Sequence, residues 1–327
     1  MYVEAERRKG KEYHYLVENV RSNGGWKKIK VYLGSSMNGK QLEEAVSRKR
    51  ELLVAKTDAF MKASDRLLTI ITPTEEVALD HARKTHSKAL RCLGKHMLGE
   101  YYKDFAVSFT YNTNAIEGST LSLLDTKLLL DDRVTPHGKT VKEMKETLNH
   151  NGAFWHMLSY NGSLTRQFVL KLHKLLMHDI LWKQAGKFRD VHVRLIGVDK
   201  LLPPPERVPV KFKEATLWYA RNRRKYHPLV VAAFFHHAFE SVHPFRDGNG
   251  RVGRLLMNYM LKRSGYPMID IKHADRRRYY DALQSGDRGD FRPLVEMMMG
   301  YVLEEAKLIA PSVRLPRKAR ATSVRGG

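Results

Sequence analysis

The chain of 327 residues has a single cysteine, Cys92. An intramolecular disulfide framework is excluded, and a reducing compartment, the cytoplasm, is the expectation. No apolar run approaches the roughly 20 residues needed to cross a bilayer, so no membrane partner is expected. The first ten residues are charged and lack the apolar core of a signal peptide. Acidic residues are scarce too: 35 Asp and Glu stand against 58 Lys and Arg, for a formal charge of +23. That excess suits a polyanion such as nucleic acid, a nucleotide or an acidic protein surface, and it equally suits a solvated basic surface. The remaining composition, 43% hydrophobic and 28% charged, is that of a folded chain long enough for one large domain or two modest ones.

Residues 12–33 alternate as a β-hairpin does. Tyr13, Tyr15 and Val17 precede the turn Ser22-Asn23-Gly24-Gly25, and Trp26, Ile29, Val31 and Leu33 follow it. From Gln41 the spacing is helical, and further helices are expected over 75–106, 121–132, 140–158, 164–180, 209–222, 227–241, 249–264, 276–286 and 290–309. One stretch interrupts them: from Phe188 to Val198 the residues Val191, Val193 and Leu195 alternate with polar ones, as a short β excursion would. Residues 311–327 are basic and rich in Pro, Ser and Gly, the composition of a disordered tail. The segment Gly34 to Lys40 fits a Gly-x-x-x-x-Gly-Lys phosphate loop, but Gln41 stands where Ser or Thr belongs and no parallel α/β pattern follows, so a plain loop is expected.

The densest chemistry lies in His243-Pro-Phe-Arg-Asp-Gly-Asn-Gly-Arg-Val-Gly-Arg254, followed by the apolar run Leu255-Leu256-Met257. A glycine-flanked loop opening into a helix presents backbone amides to an anion. Gly248 and Gly250 permit close backbone approach, and Asn249 adds a neutral donor. Asp247 is a hard oxygen ligand of the kind Mg²⁺ takes. Arg251 and Arg254, three apart on the new helix, share a face toward phosphate. His243 can act as general base toward a hydroxyl.

The segment resembles the Fic family pattern His-x-Phe-x-(Asp/Glu)-Gly-Asn-Gly-Arg-x-x-Arg at every specified position, and the resemblance runs from about residue 105 to 305. It implies a mainly α fold: a Fic-type helical bundle with a short β-hairpin flap, here preceded by a small N-terminal β-hairpin. The implied layout is an N-terminal hairpin element over 1–40, a helical region over 41–110, the Fic domain with its inhibitory helix over 111–310, and the basic tail. Most characterised members transfer AMP from ATP to a Ser, Thr or Tyr hydroxyl of a target protein. The resemblance therefore implies His243 as the base, Asp247 as the Mg²⁺ ligand, Gly248, Asn249 and Gly250 as the anion hole, and Arg251 and Arg254 on the phosphates. Phe245 would anchor the loop in the core. Val191, His192, Val193 and Arg194 would belong to a flap that registers the target by strand pairing. Of Tyr279 and Tyr280, one would line the nucleoside pocket, Tyr280 being the expected one. Asp287 stands near where relatives carry an amide.

Upstream, Thr113-Asn114-Ala115-Ile116-Glu117-Gly118 matches the family's inhibitory pattern (Ser/Thr)-x-x-x-Glu-(Gly/Asn). The resemblance implies that Glu117 pairs with Arg254, where an ATP γ-phosphate would otherwise sit. A helix end capped by Gly118 accounts for the same residues structurally. Other expectations stay open: another nucleotide donor, removal rather than addition of AMP, a homodimer, and a basic nucleic-acid-binding regulator.

Overall fold

Alternating apolar residues fold the N-terminal segment into three antiparallel strands, β1 (Tyr2–Arg8), β2 (Lys11–Ser22) and β3 (Gly25–Ser35), ordered β1-β2-β3, followed by helix α1 (Gly39–Ser64). The computed structural model describes residues 1–8, 10–22, 25–194 and 200–309. The chain divides after Thr72 into two compact units. In the first, Leu16, Val31 and Leu33 from the sheet pack with Ala45 and Leu53 of α1. The expected hairpin over 12–33 is present and gains a third strand. β1 carries few apolar residues, so its pattern gave no strand signal. It is held by the main-chain ladder and by Glu4 and Glu6, which accept from Lys28 and Lys30 at 2.7–2.9 Å across the outer face. Gln41, the residue that spoiled the phosphate-loop pattern, has a structural task. Its amide N–H donates to Asn38 Oδ1 at 2.9 Å and its side chain accepts from Asn38 N–H at 3.1 Å, closing the start of α1.

The second unit is helical. Its elements are α2 (Pro73–Cys92), α3 (Lys95–Ile116), α4 (Leu123–Lys127) running into a π turn over Leu128–Asp132, α5 (Val141–Ser159), α6 (Arg166–Met177), α7 (Val208–Asn222), α8 (Pro228–Val242), α9 (Asn249–Arg263), α10 (Arg276–Asp287) and α11 (Arg292–Ile309). The single helix expected over 75–106 is two, broken at Gly94, and the second continues to Ile116 so that the Thr113–Gly118 motif forms its C-terminal turn. Ser122 and Thr140 start α4 and α5 with capping boxes to Asp125 and Glu143. The expected β excursion does not form where it is described: residues 188–194 run without strand pairing, and residues 195–199 lie outside the described residues. The basic tail from residue 310 lies outside them as well. Among the described residues no helix is long and apolar enough to cross a membrane.

Helix α9 is the centre of this unit. Nearly every residue from Asn249 to Leu261 is buried, and α8, α5, α6 and α3 pack around it. A helix buried on all sides has no solvent face to turn outward, so its polar residues, Asn249, Arg251, Arg254 and Asn258, must find partners within the protein. Within it, Asn258 bridges to the following loop: its side chain donates to Ile269 O and accepts from Ile269 N, both at 2.8 Å, in full burial. Replacing Asn258 by Ala strands two buried backbone groups. The expected destabilisation is about 2–4 kcal/mol, read from the urea unfolding midpoint; a change under about 0.5 kcal/mol would show the bridge to be dispensable.

Candidate active site

The loop between α8 and α9 begins with strain. His243 closes α8 in the left-handed region at φ +46°, its N–H donating to Phe239 O at 2.9 Å. A non-glycine residue there costs on the order of 1–3 kcal/mol and persists only where its surroundings hold it. Arg189, buried to 3% exposure, does much of the holding. Its Nε donates to His243 O at 2.8 Å, its backbone N–H to Pro244 O at 2.8 Å, and its two terminal nitrogens to Val191 O and Pro203 O. Phe245 points into the core, as expected, and stacks on the His173 ring at 3.7 Å between centroids. His173 Nδ1 accepts from Gly186 N–H at 2.9 Å, which leaves the proton on Nε2 to be donated to Asp247 O at 3.2 Å. Asn249 closes the loop on itself: its side chain accepts from Phe245 N–H at 2.8 Å and donates to Phe245 O at 2.9 Å. Gly248 opens α9 at φ +77°, where a Cβ would also run into Met177. The loop is thus rigid without any ligand.

The two arginines part company. Arg251 lies buried between carboxylates, 3.1 Å from Glu146 of α5 and 3.2 Å from Asp247. Arg254 is buried to 1% exposure and turns to the end of α3. It donates from Nε to Thr113 Oγ1 at 2.6 Å, and from a terminal nitrogen to Thr113 O at 3.1 Å and to Glu117 Oε1 at 2.7 Å. The Glu117 carboxylate rests over Gly250, where a side chain would collide with it. Glu117 is also the C-cap of α3, and Gly118 follows at φ +103°. The capping role and the ion pair coexist.

His243, Glu117, Gly250, Arg254 and Glu240 line one cavity of about 720 Å³, with Tyr280, Gln284 and Asp287 from one face of α10. That volume suits a nucleotide. Burial, reinforced by the Arg189 charge, pushes the His243 imidazole down to about 4, so it is neutral near pH 7. Burial pushes the Glu240 carboxyl up to about 8. Both tyrosines line the cavity: Tyr280 is exposed to it with Arg276 over its ring at 5.6 Å, and Tyr279 borders it from the core, its hydroxyl 2.6 Å from His236 Nε2. Asp287 accepts hydrogen bonds from Lys200 Nζ and from His237 Nε2, the latter at 2.8 Å. Of the flap residues, Val191 and His192 are exposed, Val193 is half-buried, and Arg194 reaches the cavity. Asp247, Gly248, Asn249 and Arg251 do not line it; Asp247 borders a shallower depression with Val141, Lys145 and Leu181.

Several residues around the site carried no signal in sequence. Glu146 belongs to no motif, and His173 lies seventy residues before the loop that it supports. Arg189 read as part of the flap rather than as a clamp. Glu240 alone had a findable position, one turn before the motif histidine on an apolar helix.

Residues 163–261 match the Fic/DOC family. The chain is 32% identical over 201 residues to the protein adenylyltransferase Fic of Aedes aegypti, covering 60% of this chain and 40% of that protein. It is 31% identical over 193 residues to that of Nematostella vectensis, covering 58% and 45%. The chain thus spans less than half the length of these curated relatives. Among solved structures, a Fic domain containing signaling protein from Bacteroides thetaiotaomicron superposes with a TM-score of 0.66 at 26% identity, over 72% of this chain and 96% of that one. Fic-1 from C. elegans shares the fold, with a TM-score of 0.65 at 22% identity, over 85% and 78%.

Burial holds several imidazoles of this unit neutral: His173, His227 and His243 are pushed down to about 4 and His236 to about 3. In the unfolded chain each protonates near pH 6.5. Stability from these groups is therefore complete above about pH 6.5 and falls as the pH drops toward 4, by up to about 3 kcal/mol for each buried histidine. Thermal unfolding across this range checks it, with a steadily falling Tm expected and a flat Tm contradicting the burial of neutral histidines.

Proposed function

We propose, from the Fic domain that residues 163–261 carry, that the protein is an adenylyltransferase moving AMP from ATP to a Ser, Thr or Tyr hydroxyl of a target protein. One observation carries the reading: a neutral, buried histidine and a fully buried arginine line one cavity of nucleotide size, together with Gly250 at the start of α9. The adenylyltransferase names of the relatives support it.

In this reading His243 takes the proton of the target hydroxyl on Nε2. The hydroxyl oxygen forms its bond to the α-phosphorus while the bond to the pyrophosphate oxygen breaks. In-line displacement of this kind needs placement and charge neutralisation more than covalent help. The backbone of Gly248, Asn249 and Gly250 supplies the anion hole; the Asn249 side chain is already used in holding the loop closed. Arg251 and Arg254 neutralise the phosphate chain, and Tyr280 offers its ring to the base. The segment Val191-His192-Val193-Arg194 aligns the target through main-chain pairing. We extend the functional domain to 111–310, so that the end of α3 belongs to it.

Mg²⁺ fits the residues present. Mg²⁺ commonly takes one or two protein carboxylates together with phosphate oxygens, and no group of three or more His, Cys, Asp or Glu side chains is assembled among the described residues. Asp247 would hold it, since its Oδ1 receives Gly248 N–H and Arg251 while the carboxylate stays partly exposed. Bound there, the ion would neutralise charge on the phosphates.

Glu117 is the brake in this account. Arg254 has a carboxylate where it would need to meet a γ-phosphate, and that carboxylate repels the phosphate. The rival nucleic-acid reading loses support on the sheet, where Lys28 and Lys30 are already paired with Glu4 and Glu6. Asp287, a carboxylate on the cavity wall, makes the choice of base a matter for measurement. Incubation with α-labelled ATP, GTP, UTP and CTP in Mg²⁺ reads donor and product together. The expected result is label transfer from ATP, raised about tenfold or more by Glu117→Gly, since a partly exposed ion pair of roughly 1–2 kcal/mol is removed. His243→Ala abolishes transfer, as does chelation of the metal. A Glu117→Gly chain that labels no more than wild type would remove the brake from the account.

A further inference from the structure

Glu240 has no task in the scheme so far, and its setting is costly for a carboxyl. It sits one helical turn before His243 on α8 and is largely buried. Its Oε1 has no hydrogen-bond partner; His243 Nδ1 has none of good geometry, although the Glu240 carbonyl acts on the imidazole as an acceptor, and both atoms are buried. The two side chains face each other, with Glu240 Oε2 at 4.0 Å from His243 Nδ1. The α9 backbone makes room for the carboxyl at Gly253, where any Cβ would strike Glu240 Oε1 and approach the His236 ring to 2.9 Å. A buried acid without a partner is unfavourable unless something gives it one. Packing alone would be met better by an apolar side chain of the same size.

We infer that Glu240 is a positioning residue for the base: its carboxylate receives the Nδ1–H of His243, leaves the Nε2 lone pair for the incoming hydroxyl, and stabilises the imidazolium that forms. The inference rests on the reading of His243 as general base. The absence of a side chain at Gly253 is what lets the carboxyl lie beside His243, 4.0 Å from Nδ1, and the inference requires that gap to close to a hydrogen bond. The proton taken from the hydroxyl stays on Nε2 until product leaves, Nδ1 keeps its own, and Glu240 changes only in the strength of the bond that it accepts. A dyad of this form makes one tautomer dominant and matches the base to its task. Glu240 is also faced by Arg254 and Glu117 from α9 and α3, and by Lys200. The dyad thus borders the ion pair of the brake, so displacing Glu117 removes a negative neighbour and favours ionised Glu240.

The test separates this inference from the enzyme reading by using a readout other than activity. Ring-nitrogen NMR of histidine-labelled protein, with the His243 signals identified by their absence in His243→Gln, reports the tautomer directly. At a pH above about 8, where Glu240 is ionised, wild type shows His243 protonated on Nδ1. Glu240→Gln, whose amide can still accept, keeps that tautomer, while Glu240→Leu, which packs but cannot accept, loses it. In a Glu117→Gly background, label transfer falls about tenfold in Glu240→Gln and about a hundredfold in Glu240→Leu, through kcat with KM for ATP unchanged. The same tautomer in all three proteins would overturn the inference, as would transfer within about twofold of the parent in both variants. If no chain transfers label at all, the adenylyltransferase reading fails, and the tautomer result still decides whether Glu240 orients His243.

Discussion

Arg254 carries a full charge at 1% exposure, and the helical unit is arranged around satisfying it. An unpaired guanidinium at such depth costs several kcal/mol. The pairing comes from one turn of α3: Thr113 and Glu117 stand four apart, on one face of the helix, and present a hydroxyl, a carbonyl and a carboxylate. That requirement explains features otherwise unrelated. Gly250 has no side chain because Glu117 lies over it. Helix α3 must end where it does, and Gly118, at φ +103°, ends it. Tyr279 is core because its ring lies under the same guanidinium, at 5.9 Å.

The loop answers a different constraint, since a strained residue must be held in place. His243 is left-handed, and the clamp of Arg189, the stacked pair Phe245 and His173, and the self-closing Asn249 hold it from three sides. None of these contacts needs a ligand. A site of this kind is already organised when substrate arrives, which is the condition for electrostatic stabilisation to act without reorganisation. In the proposed reading, Glu117 decides when the organised site is free.

Much of this was legible in the residues, and the limits are instructive. Helices α5 to α11 follow the apolar spacing closely, most by burying one stripe and α9 by burying nearly its whole length. The motif fixed which residues cluster near α9, and the Glu117–Arg254 contact forms as the resemblance implied. What failed to show was anything whose partner is distant in the chain. Glu146 meets Arg251 across helices, and His173 meets the loop from α6, contacts that no local pattern encodes. Strand β1 escaped because the main-chain ladder and ion pairs, not an alternating apolar face, hold it. The break at Gly94 escaped because the apolar spacing continues across it. The β excursion expected from Phe188 is unpaired over 188–194, where Val191 and His192 are both exposed, and the rest of that stretch, 195–199, lies outside the described residues.

The central claim is that Glu117 holds the place of a terminal phosphate on Arg254, and calorimetric binding of ATP and ADP to wild type and to Glu117→Ala tests it most directly. With the carboxylate in place the third phosphate finds no free arginine, so wild type should bind the two nucleotides within about twofold of each other. Without it, a charge-assisted contact worth roughly 1.5–3 kcal/mol becomes available, and ATP should be preferred by tenfold or more. An unchanged ratio of affinities in the variant would contradict the claim.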